Sequence, residues 1–130
     1  MAKIFSLNEK GKDPALITPW TIIHFIGGVL FAIFSKSTQF QKNQSLITFF
    51  TIHAMYEIRD CYIYEKHNSI TNSIGDQIFS VFGFLLGWEL QIKDAVLMCL
   101  TLFILFLSPF MNKTGEWRWS NGIDSWNSRD

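Results

Sequence analysis

The sequence predicts an all-α fold, a four-helix bundle integral to the membrane with both termini on its inner side. Three observations lead there. Four apolar segments punctuate the 130 residues, and two of them carry no charge along their length. The Lys and Arg residues fall unevenly on the stretches between those segments. Trp20, Trp88, Trp117 and Trp119 lie close to segment ends, where interfacial aromatics gather.

Composition sets the frame. The chain has 11 basic and 11 acidic residues, 48% apolar residues and 13 Phe. That length is one domain, and the cancelling charge gives no electrostatic footprint for nucleic acid. Cys61 and Cys99 fit no zinc or redox spacing. Cys99 sits inside an apolar run, which argues against a disulfide framework. A soluble enzyme built on a large core is excluded by the helices themselves, because segments one and four are apolar all round, whereas a soluble helix shows a polar face.

Residues 1–14 read as a polar N-terminal arm, 15–110 as the transmembrane domain and 111–130 as a Trp-rich tail. Segment one is Ala15 to Phe34, ALITPWTIIHFIGGVLFAIF. Thr18 before Pro19 resembles an N-cap followed by proline at the first helical position. No small-x-small site closes the segment, so it is expected to be kept as an anchor. Segment two starts near Ser45 with SLITFFTIHAMYEI and meets charge at Glu57, Arg59 and Asp60. Segment three, Ser73 to about Leu90, carries Asp76 near its start. Segment four, Ala95 to Phe110, has no charge. Since about 20 residues span a bilayer, segments two and four read as short.

Orientation follows from the basic residues. The arm (Lys3, Lys10, Lys12), the 59–72 loop (Arg59, Lys66) and the tail (Lys113, Arg118, Arg129) together hold eight, whereas Lys36, Lys42 and Lys93 make three on the other side. Four spans put both termini on one face, and the bias makes that face the inner, cytoplasmic one.

That topology gathers polar residues at one depth. His24 lies about 10 Å in from the inner side at the 1.5 Å rise of a helix. His53, Glu57 and Asp60 sit at i, i+4, i+7 in the last turns of segment two and share one face. Asn72, Asp76, Ser80, Gly83 and Gly87 form a stripe on segment three, polar at its inner end and small at its outer end. Gly83 and Gly87 form a GxxxG, and Gly28 with Ala32 a small-xxx-small pair, patterns that let helix backbones approach closely. A carboxylate at mid-helix costs about 2.5–3.5 kcal/mol to insert, so Glu57 and Asp76 need partners, drawn from His24, His53, Arg59 and Asn72. Two readings follow. One is a structural polar core. The other is a site made of His24, His53, Glu57, Arg59, Asp60, Asn72 and Asp76, binding a lipid headgroup or cation, or moving protons. His67, at a segment end, reads as solvated.

The run Asp76-Gln-Ile-Phe-Ser80-Val-Phe-Gly83-Phe-Leu-Leu-Gly87 resembles the D-x3-N-x2-G-x3-G signature of VanZ-like membrane proteins. His24-Phe25 in segment one and Glu57 near the end of segment two, with Arg59 just after, resemble the same family's pattern. The resemblance covers residues from about 17 to 90. Ser80 stands where the family has Asn, and Arg59 and Asp60 stand where a Gln commonly follows the Glu. It implies small helical membrane proteins associated with glycopeptide-antibiotic tolerance, gives weight to His24, Glu57 and Asp76, and supplies no reaction.

Two other function classes fit parts of the sequence. The tail, with Trp117, Trp119 and Trp126, reads either as an interfacial strip or as a docking segment. With the glycines Gly83 and Gly87, docking would suit a structural subunit of a respiratory complex or virion membrane. His24 and His53, on different spans at similar depth, could be axial ligands of a b-type haem in a membrane anchor. No G-x-S-x-G, H-E-x-x-H, P-loop or Rossmann fingerprint occurs, so no catalytic template assigns an enzyme activity. Asn43 and Asn112 head sequons too close to the spans for glycosylation to be expected.

Overall fold

A computed structural model describes residues 3–5, 15–63 and 70–110 of the chain. The tail with Trp117, Trp119 and Trp126, His67, and most of the N-terminal arm lie outside the described residues. Four helices make the body, as the sequence predicts: α1 (Pro19–Ser37), α2 (Lys42–Ile63), α3 (Ile70–Glu89) and α4 (Ile92–Phe110).

The N-terminal boundary differs from the sequence expectation. Ala15–Ile17 is not the first turn of a helix but a short strand, β2, paired in parallel with β1 (Lys3–Phe5) in the register Lys3↔Ala15 and Phe5↔Ile17. The helix begins at Pro19, where the ring's fixed φ suits a first turn and the missing N–H costs nothing. Thr18 precedes it in extended conformation, and its N–H donates to the Thr21 hydroxyl at 3.0 Å. Helices α2 and α4 are also longer than the apolar runs that announce them, at 22 and 19 residues. Each recruits polar residues near its start, Lys42-Asn-Gln in α2 and Lys93-Asp94 in α4, which hydropathy alone places in loops.

Contacts at the two ends of the bundle give the up-down-up-down topology. At one end Thr18, just before α1, and Thr21 of α1 meet Asn72 and Asp76 of α3, and Cys61 from the end of α2 meets Ser73. Trp20 packs edge-on against Phe106 of α4 there, with centroids 5.4 Å apart. At the other end Lys36 of α1 donates to the carbonyls of Trp88 and Leu90 at 2.9 and 2.6 Å, and Lys42 pairs with Glu89. Lys36 thereby places a cation on the unpaired carbonyls at the C-terminus of α3.

Helix α1 is the centre of the bundle, packed on α3, α4 and α2. The α1–α3 contact is closest, and glycine makes it possible. A Cβ on Gly28 would overlap the Ser80 carbonyl oxygen, and one on Gly83 would overlap that of Phe25. Gly87 lies against Val29 in the same way. The GxxxG of α3 is therefore taken up inside the chain, so Gly83 and Gly87 present no face to another subunit. Around this seam, Ile26 and Val29 pack with Ala95 and Cys99 of α4, and Ala32 packs with Phe49 and Phe84. Phe49 stacks on Phe84 at 5.8 Å.

Polar side chains share the interior with the apolar core, and many large apolar side chains lie outside. Thr18, Thr21, Ser35, Ser45, Glu57, Ser73, Asp76 and Ser80 are buried, while Ile47, Ile52, Met55, Ile58, Leu97 and Ile104 are among many large apolar side chains left exposed. Among the described residues, α1 has a stretch, Trp20–Ser37, long and apolar enough to cross a membrane.

Candidate functional site

The polar residues that share a depth in the sequence converge near the end of the bundle that holds the start of α1. Helix α1 supplies His24, α2 supplies His53 and Glu57 one turn apart, and α3 supplies Asp76. His24 Nδ1 stands 2.8 Å from His53 Nε2, with the rings edge-on at 89°. Glu57 Oε1 lies 3.5 Å from His24 Nδ1 and 3.7 Å from His53 Nε2. On the far side of the His24 ring, Nε2 faces Asp76 Oδ2 at 3.6 Å. The carboxylates are deeply enclosed, with side-chain exposures of 7% for Glu57 and 4% for Asp76.

A second tier fixes these groups. Thr21 donates its hydroxyl to Asp76 Oδ1 at 2.5 Å while accepting the Thr18 N–H, so one side chain caps α1 and orients the carboxylate. Gln77 Oε1 meets His53 Nδ1 at 2.6 Å, and its amide nitrogen donates to the Phe50 carbonyl at 3.3 Å. The carbonyl can only accept, so it settles which end of the Gln77 amide turns to the histidine. His53 Nδ1 must therefore carry the proton, leaving a lone pair on Nε2. Ser73 bonds the Glu57 carboxyl and also contacts Cys61 Sγ at 3.0 Å. Glu57 Oε1, buried and directed at the two histidines, makes no hydrogen bond.

Not every residue singled out by sequence joins the cluster. Arg59, which its spacing offers as a partner for Glu57 or Asp76, is engaged with its neighbour Asp60. Its guanidinium binds Asp60 at 2.9 Å, lies over the Tyr56 ring at 4.9 Å, and its side chain is 56% exposed. Asp60 is thus engaged at the rim. Asn72 reaches Thr18 Oγ1 at 3.4 Å, one turn below Asp76. Thr21, Ser73 and Gln77 are neighbours of the cluster that a search for ionisable residues passes over. Their signal was available: Thr21 precedes His24 by three, and Gln77 is an amide inside an apolar helix.

The haem reading calls for a wider spacing of the two rings than this structure has. At about 2 Å per metal–imidazole bond, two axial nitrogens stand about 4 Å apart with a porphyrin plane between them. Here the two nitrogens stand 2.8 Å apart, with the Glu57 carboxylate beside them.

An apolar groove of about 240 Å³ runs along the α2–α3 surface beside the cluster, lined by Phe50, Ile78, Val81, Phe82 and Leu85, with Gln77 in its wall. Compared with protein-family models, curated proteins and solved structures, the chain matches none.

Proposed function

We propose that the chain is an integral membrane four-helix bundle, VanZ-like in its first three spans, that uses His24, His53, Glu57 and Asp76 to bind a cation or a lipid headgroup near the inner membrane face. The observation that carries this reading is the convergence of four ionisable side chains from three helices, with one buried carboxylate oxygen left unbonded.

The membrane setting is supported by the apolar outer surface and the polar groups in the interior. Exposed Ile, Leu and Phe side chains cover the outer faces, whereas serines, threonines and carboxylates lie inside. Nineteen to 22 residues per helix correspond to about 28–33 Å, close to the hydrocarbon thickness of about 30 Å. The polar cluster then sits on the side rich in Lys and Arg.

The test is topology and extraction of the full-length chain. In a Cys61→Ser, Cys99→Ala background, the protein should stay in the membrane pellet after alkaline carbonate washing. Asn43→Cys should react with an impermeant maleimide from outside, and Asn8→Cys only in inverted vesicles. Release by carbonate, or labelling of Asn8→Cys from outside, contradicts the reading.

A further inference from the structure

Resting on that reading of the site, we infer that its ligand is a divalent transition-metal ion of the zinc class, held by His24 Nδ1, His53 Nε2 and Glu57 Oε1. The argument begins with proton bookkeeping. Gln77 holds the His53 proton on Nδ1, so His53 Nε2 presents a lone pair to the centre. A neutral His24 has one ring proton for two sides. Placed on Nδ1, it serves His53 and leaves the Nε2 lone pair facing Asp76 Oδ2 at 3.6 Å. Placed on Nε2, it serves Asp76 and leaves three electron-rich atoms facing one another, at separations of 2.8, 3.5 and 3.7 Å. A cation at the centre of those three atoms removes the conflict.

Geometry favours a metal in that place. Tetrahedral coordination at about 2.1 Å puts neighbouring ligand atoms about 3.4 Å apart. Both Glu57 edges are already near that value, and the His24–His53 edge has to open by about half an ångström. Two imidazoles and one carboxylate suit zinc, iron or cobalt; magnesium and calcium prefer all-oxygen sites. The surroundings complete the pattern, since ligand histidines commonly give their second ring N–H to a carboxylate or carbonyl oxygen. Asp76 and Gln77, neighbours on α3, face the outer nitrogens of the two rings in that way. Three protein ligands leave a fourth position for water or an anionic headgroup.

The probe is Co2+, read by its visible absorption, on full-length protein in lipid nanodiscs after chelator treatment. One Co2+ per chain should bind with the intensity of a four-coordinate site, be displaced by stoichiometric Zn2+, and resist millimolar Mg2+ and Ca2+. Glu57→Gln and His53→Ala should abolish the spectrum. Gln77→Leu, which touches no metal, should weaken binding about 10–100-fold, while Gln77→Glu should restore it by again accepting the His53 proton. Circular dichroism of each variant separates lost ligation from lost folding. Absence of the Co2+ spectrum, or a spectrum that survives Glu57→Gln in folded protein, overturns the metal assignment. Nitrogen-15 spectra of the same apo sample distinguish the two layers. Histidine rings in contact without Co2+ binding defeat the metal and leave the polar site standing; rings apart defeat both.

Discussion

Adjacent glycines on α1 should respond in opposite directions to the same substitution. Gly27 has nothing within 4 Å of a built Cβ, whereas the Cβ of Gly28 would meet the Ser80 carbonyl and the Phe84 amide nitrogen, both backbone atoms of α3. Replacing either glycine by Ala gains about 1 kcal/mol of helix propensity. At Gly27 that gain stands alone. At Gly28 it is opposed by overpacking, which costs about 1–3 kcal/mol and sometimes more. Because the obstructing atoms are main chain and cannot rotate aside, the upper end applies and the net loss is about 2 kcal/mol. At roughly 4 °C per kcal/mol for a domain of this size, Gly28→Ala should lower Tm by about 8 °C and Gly27→Ala should raise it by about 4 °C. Thermal unfolding of both variants in one detergent, followed by circular dichroism, measures the difference. Equal melting temperatures would show that α1 and α3 do not touch along this seam.

Other substitutions test the supports of the bundle. Thr21→Val removes the hydroxyl that Asp76 accepts and Thr18 donates to. It should cost about 1–3 kcal/mol in detergent unfolding, and Thr21→Ser should recover most of it. Lys36→Met keeps the aliphatic stem but removes the donor to the Trp88 and Leu90 carbonyls. A loss of about 1.5–3 kcal/mol is expected from charge-assisted bonds; no change in the unfolding midpoint would place Lys36 elsewhere. Arg59→Ala, by contrast, should shift stability by less than about 1 kcal/mol, because the guanidinium that pairs with Asp60 is itself largely exposed. A larger loss in the same assay would mean that Arg59 serves the buried carboxylates after all.

Much of this architecture was legible because a helix period maps directly onto a face. His53 and Glu57, four apart, point the same way in any helix, and the structure brings them to the same spot beside His24. The Gly83/Gly87 spacing likewise announced a close approach, although not that α1 of the same chain would fill it. Hydropathy placed four helices but misjudged their ends. Strand β2 is as apolar as the helix that follows, and only the Thr18-Pro19 junction marks the change. The fate of Arg59 was not legible, since reaching inward to Glu57 or outward to Asp60 depends on where α2 turns its last charged residues. The second tier was missed for a different reason: Thr21 and Gln77 carry no charge, and their importance lies in the lone pairs they orient.

The chain contains three histidines, which makes the central claim measurable with one label. Solid-state NMR of histidine-labelled, full-length protein in lipid bilayers can report the nitrogen–nitrogen contact between His24 and His53 directly. The account predicts a through-space correlation between His24 Nδ1 and His53 Nε2 at close to the 2.8 Å of the structure, with both rings shielded from water exchange. Two isolated ring spectra in rapid exchange with solvent, lacking any correlation, would contradict it.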